Sequence, residues 1–98
     1  MRIEIRLCTF YSLGDERRFF QGLKDVAAIK HIQGMGRNLM IDFDIRHLSK
    51  EAAWDLIALF WRYGISLVPL QELATKKRFS WLRDEKFYWH KRMFKSLR

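Results

Sequence analysis

The sequence predicts an α+β sandwich, and three observations predict it. Residues 2–10 and 38–45 alternate aliphatic with charged or polar side chains at period two, as half-buried strands do. Residues 11–29 and 49–64 carry apolar side chains at three- and four-residue steps between recognisable helix ends. The elements follow one another as β-α-β-β-α-β, with one more helix after them. A chain of 98 residues can bury one core and not two. Residues 1–98 are therefore expected to form a single domain, with a body over 1–75 and a C-terminal helix within 76–98.

In the first strand, RIEIRLCTF, Ile3, Ile5 and Leu7 point one way. Arg2, Glu4, Arg6, Cys8 and Phe10 point the other. Ser12, Gly14, Asp15 and Glu16 then mark a helix start, with carboxylates near the positive end of its dipole. Phe19, Phe20, Leu23, Val26 and Ala27 form its buried stripe. KHIQ, residues 30–33, predicts a short polar strand, and GMGRN, residues 34–38, a turn. In NLMIDFDI, residues 38–45, Leu39, Ile41, Phe43 and Ile45 share one face, with Met40, Asp42 and Asp44 on the other. Ser49 suits an N-cap and Gly64 a left-handed C-terminal residue for the second helix. That helix is apolar on more than one side, with Ala53, Trp54, Leu56, Ile57, Leu59, Phe60 and Trp61. SLVPLQEL, residues 66–73, predicts a last strand, held to an edge because Pro69 has no N–H to donate. Residues 79–97 predict the final helix.

This order of elements is that of a ferredoxin-like βαββαβ sandwich with strand order 4-1-3-2 and an added C-terminal helix. Many unrelated functions share that superfold, so it supplies no ligand and no catalytic residue.

Composition narrows the function classes. Hydrophobic residues make up 49% of the chain, which excludes a disordered polypeptide. The longest apolar run, LIALFW at residues 56–61, is too short to span a bilayer. The alternating start MRIEIRL has no apolar signal region. A single cysteine permits no internal disulfide, and a reducing cytoplasmic location is expected. The net charge of +8 is uneven: residues 1–75 carry net +1 and residues 76–98 net +7. Such a cationic tail points toward a polyanion or an anionic surface.

With helices on one sheet face, the outward residues of the two central strands decide what the open face can bind. Cross-strand pairing of Arg6 with Asp44 and Glu4 with Arg46, or of Arg6 with Asp42, is expected. Cys8, Phe10 and Met40 would then form an apolar end needing cover. Carboxylates at Glu4, Asp42 and Asp44 repel phosphate, which excludes base stacking across the sheet in the RRM manner.

On a helical wheel the tail divides. Phe79, Leu82, Trp89, Met93, Phe94 and Leu97 share one broad face, with Phe87 at its rim and His90 within it. Lys91, Arg92, Lys95 and Arg98 lie opposite with Trp81 and Tyr88, and Asp84 joins them. The first set reads as core. The second could hold phosphates and stack bases, or could be a solvated basic face.

Catalytic chemistry has weaker support. Asp42, Asp44 and His47 in DFDIRH could offer oxygens to Mg²⁺, but pairing with strand arginines explains the carboxylates as well. His31, His47 and His90 lack zinc spacing, and Cys8 has no second thiol. Gly34 and Gly36 lead into a strand, whereas phosphate-cradling loops lead into a helix. No catalytic residue, metal or cofactor is assigned. The expected function is a small non-enzymatic interaction module, self-associating as a homodimer or binding a protein through its C-terminal helix or open sheet face. Its interface would draw on Cys8, Phe10, Met40, Trp54, Trp89 and Met93. The alternative is nucleic-acid binding through Trp81, Tyr88, Lys91, Arg92, Lys95 and Arg98.

Overall fold

The computed structural model describes residues 1–94. A three-stranded antiparallel sheet is built from β1 (Arg2–Arg6), β2 (Ile29–Met35) and β3 (Asn38–Phe43), in the order β1-β3-β2. Helices α1 (Leu13–Lys24) and α2 (Lys50–Arg62) pack on each other and on the sheet's inner face. That face contributes Ile3, Ile5, Leu39, Ile41 and Phe43, all buried. The helix ends predicted from sequence are present. Ser12 Oγ accepts from Asp15 N–H and Ser49 Oγ from Ala52 N–H, each at 3.0 Å. Gly64 adopts φ 69°, and Ile65 N–H donates to Phe60 O at 2.9 Å, closing a Schellman turn. Gly36, at φ 63°, opens the two-residue hairpin turn between Met35 and Asn38.

The fold is α+β, but not the four-stranded ferredoxin-like sandwich: there is no fourth strand among the described residues. Val68–Thr75 is 3₁₀-helical and packs against β1. The side chains explain why. Leu67, Leu70 and Leu73 are buried at steps of three, which matches the three-residue turn of a 3₁₀ helix and not the two-residue repeat of a strand. Pro69 sits in its first turn, where a missing N–H costs nothing.

The continuous helix expected over residues 79–97 is also absent from the described part. Lys77–Arg83 forms 3₁₀ turns, Asp84 is extended, and only His90–Met93 (α3) is α-helical. The Asp84 carboxylate accepts from Lys86 N–H at 3.0 Å, a local bond that competes with helix propagation. Phe79, Leu82, Trp89 and Met93 nonetheless reach the core and are buried. The wheel identified their side of the chain but not its backbone.

Register differs from expectation as well. Arg2 lies opposite Asp42, Glu4 opposite Met40 and Arg6 opposite Asn38. Inner pairs Ile3–Ile41 and Ile5–Leu39 occupy the buried face. An exposed ion pair contributes at most ~1 kcal/mol, too little to slide those aliphatic pairs apart. β1 also stops at Arg6, so Cys8 and Phe10 never reach the open face. The Phe10 ring lies 5.5 Å from Phe19 on the helix side, and the expected apolar end with Met40 does not form.

Candidate interaction surface

The loop between β1 and α1 is short because β1 ends at Arg6 and Ser12 already caps the helix. Phe10 anchors it. Its ring packs on Phe19, on Phe20 at 6.5 Å and on Tyr63 at 5.9 Å. With Phe10 turned inward, Tyr11 is 98% exposed and Leu13 74% exposed. Two clefts flank this crest. One, of about 640 Å³, is lined by Leu7, Cys8, Phe10, Phe20, Glu16 and Arg37 among others. The second, of about 470 Å³, includes Cys8, Tyr11, Asp15, Trp61, Arg62 and Tyr63. Burial pushes the Cys8 thiol up from its usual value, and the nearby Asp15 charge adds to the shift. The thiol is therefore protonated at neutral pH and a poor nucleophile.

A second surface is made where the C-terminal segment meets α2. The Arg92 guanidinium lies 3.9 Å from the Trp61 ring centroid, and Tyr88 meets the same indole edge-on at 4.9 Å. Tyr88 is 49% exposed. Further along, Trp81 stacks on Trp54 at 6.4 Å with Lys50 Nζ 5.0 Å from its ring. Every ion pair among the described residues lies within residues 2–47. No lysine or arginine between residues 50 and 92 pairs with a carboxylate among them.

The interface candidates are dispersed. Cys8 and Phe10 are half-buried in the loop and its clefts. Met40 is half-buried on the open sheet face, between Glu4 and Gln33. Trp54 is half-buried inside a cage of Trp81, Phe87 and Trp89. Trp89 and Met93 are buried within the chain's own core and offer no surface. Of the nucleic-acid candidates, Tyr88 and Arg92 converge on Trp61, and Lys91, the residue before Arg92 in α3, is exposed. Trp81 lies apart in the Trp54 cage, and Lys95 and Arg98 fall outside the described residues. Sequence reasoning missed Tyr11, Leu13 and Trp61 as surface groups. Tyr11 and Leu13 could have been found, since neither falls on the α1 stripe. Trp61 could not, because its partners come from 27 and 31 residues further along, at Tyr88 and Arg92.

The carboxylates considered for Mg²⁺ are occupied by cations. Arg2 Nε donates to Asp42 at 2.7 Å, and this bond draws the carboxyl below its usual range. Asp44 accepts from Arg46 Nε at 3.2 Å and lies 2.7 Å from His47 Nδ1. These bonds, that to Arg46 first, lower it from 3.8 to about 2. Among the described residues no three His, Cys, Asp or Glu side chains gather in a way that could hold a metal ion. No described helix is long and apolar enough to cross a membrane. Comparison of the chain with protein-family models, with curated proteins and with solved structures found no match.

Proposed function

We propose that the protein is a small non-enzymatic interaction module that associates with a second copy of itself through the β1–α1 loop. One observation carries this reading: an exposed crest, Tyr11 and Leu13, stands between two clefts floored by Cys8 and Phe10. A projection and a hollow on one patch are what a two-fold interface needs, since each copy then gives what the other receives. The charges around the crest include both signs, Asp15 and Glu16 with Arg37 and Arg62, so two copies need not repel. Tyrosine, tryptophan and arginine also dominate interface energetics. The C-terminal segment is a poorer candidate, because Trp89 and Met93 are consumed inside the monomer. A reducing, cytoplasmic setting suits a module whose only cysteine lies half-buried in that hollow.

Sedimentation equilibrium at micromolar concentration tests this reading. The wild-type chain is expected at dimer mass and the double variant Tyr11→Ala, Leu13→Lys at monomer mass. A wild-type chain that stays monomeric overturns self-association. A dimer unaffected by the double variant places the interface elsewhere.

A further inference from the structure

The contacts of Tyr88 and Arg92 with Trp61, which the self-association argument does not use, carry a second inference. We propose that this surface binds single-stranded nucleic acid, with Tyr88 as a base-stacking ring and Lys91 and Arg92 as phosphate contacts.

Several cations of the C-terminal segment are already engaged by the fold. The Arg78 guanidinium donates to the carbonyls of Ile45 (3.0 Å), Arg46 (3.4 Å) and Leu48. Arg83 Nε donates to Ala74 O at 3.3 Å. Both close the backbone of irregular segments. Asp84 is likewise engaged, by Lys86 N–H. Lys91 and Arg92 are different. Both are exposed, neither has a carboxylate partner among the described residues, and Arg92 lies against the Trp61–Tyr88 pair. Arg92 lies over the Trp61 ring, which holds its planar guanidinium in place before any ligand arrives. A half-exposed tyrosine beside a positioned arginine, with a further exposed cation next to that arginine in the chain, is the arrangement that binds unpaired bases and their phosphates.

The structure also separates single strands from other polyanions. Reading a duplex groove calls for a helix or two-stranded ribbon carrying the basic residues. Here the only described α-helix of the tail is the four-residue α3. Lying on an anionic membrane calls for an exposed apolar face. Here Phe79, Leu82, Trp89 and Met93 are buried, and Tyr88 is the one large exposed apolar ring of the segment. The open sheet face is a poorer platform, since its outward rows set the carboxylates of Glu4 and Asp42 among Arg2, Arg6, Met40, Gln33 and Met35, with His31, opposite Asp42, as their single ring.

The test is fluorescence anisotropy of an end-labelled oligouridylate titrated with the full chain. Binding is expected, with log affinity falling against log salt at a slope of about −1.4, from about two phosphates at ~0.7 each. Lys91→Glu, on an exposed side chain, should weaken binding about tenfold or more, while Tyr88→Ala should weaken it at unchanged salt slope. Circular dichroism confirms that each variant is folded; should Tyr88→Ala unfold, Tyr88→Leu keeps the packing and removes the stacking ring. No anisotropy change at low salt overturns the proposal. So does equal affinity for a duplex of the same length, or binding to phosphatidylglycerol vesicles without binding to the oligonucleotide. Heparin binding that matches oligouridylate and ignores Tyr88 would leave only unspecific charge attraction, and also overturns it.

Discussion

Residues 2–62 and residues 65–94 bury comparable side chains with different backbones. The first region does so with strands and helices, whose peptide groups bond one another. The second uses 3₁₀ turns and one short helix, which leave carbonyls to be met from elsewhere. Side chains meet some of them: Gln71 Nε2 donates to Met93 O at 2.6 Å, Arg83 to Ala74 O, and Trp89 Nε1 to Leu82 O at 3.4 Å. Arg78 reaches back to the first region and donates to three carbonyls of its 3₁₀ turn and the residue after it, at 45, 46 and 48. The same contrast appears in the charges. Among the described residues, ion pairs are confined to residues 2–47, whereas each cation–π contact includes a ring or a cation from residues 78–94. The irregular segment thus spends part of its cationic side chains on backbone carbonyls, Arg83 on its own and Arg78 on those of residues 45–48. A high positive charge read from sequence overstates what remains for a ligand.

The largest expected effect asks whether the two regions are one cooperative unit. Trp89→Ala in the second region and Phe19→Ala in the first each remove a fully buried ring. Each should cost about 3–5 kcal/mol by urea denaturation, with a single transition retained. A Trp89→Ala variant whose transition matches wild type would show that the first region is stable without the second.

A smaller effect separates structural from spare cations. Arg78→Met should destabilise by about 1–2 kcal/mol, because it strands carbonyls that a charged donor now satisfies. Lys77→Met, at the neighbouring exposed position, should stay within about 0.5 kcal/mol. Equal losses would erase the distinction.

How much of this was legible follows from the periodicities. β1, β3, α1 and α2 were readable because period two and period 3.6 are distinct, and because Ser12, Ser49 and Gly64 mark their ends. β2 was underestimated: Gly34 and Met35 looked like turn residues, yet they pair with Leu39 and Asn38. Val68–Thr75 was misread because Pro69 was accommodated as an edge-strand residue, while the three-residue spacing of Leu67, Leu70 and Leu73 went unused. In the tail, Phe79, Leu82, Trp89 and Met93 share a wheel face because 3₁₀ turns followed by α3 still return them to one side. The exposure of Tyr11 and Leu13 was legible, since neither falls on the α1 stripe, but the clefts beside them depend on Phe10 turning inward, a tertiary event without a local signal. The Trp61–Arg92 contact depends on how the tail folds back onto α2.

The mildest prediction concerns the ion pairs of the first region. Asp44 has its folded pKa depressed from 3.8 to about 2, so its contribution is complete above 3.8 and disappears as pH falls toward 2. Thermal midpoints of wild type and Asp44→Asn should therefore differ near neutral pH and converge below about pH 2. A constant offset across that range would mean that the carboxylate's bonds to Arg46 and His47 do not set it.

The central claim is that residues 77–93, although irregular, belong to the same core as the sheet. Native-state hydrogen exchange of the Trp89 indole N–H, which is buried and donates to Leu82 O, tests this most directly. Exchange as slow as that of the Ile41 amide in β3, and equally sensitive to urea, is the predicted result. An indole proton exchanging orders of magnitude faster, through local opening that leaves the sheet intact, would contradict the account.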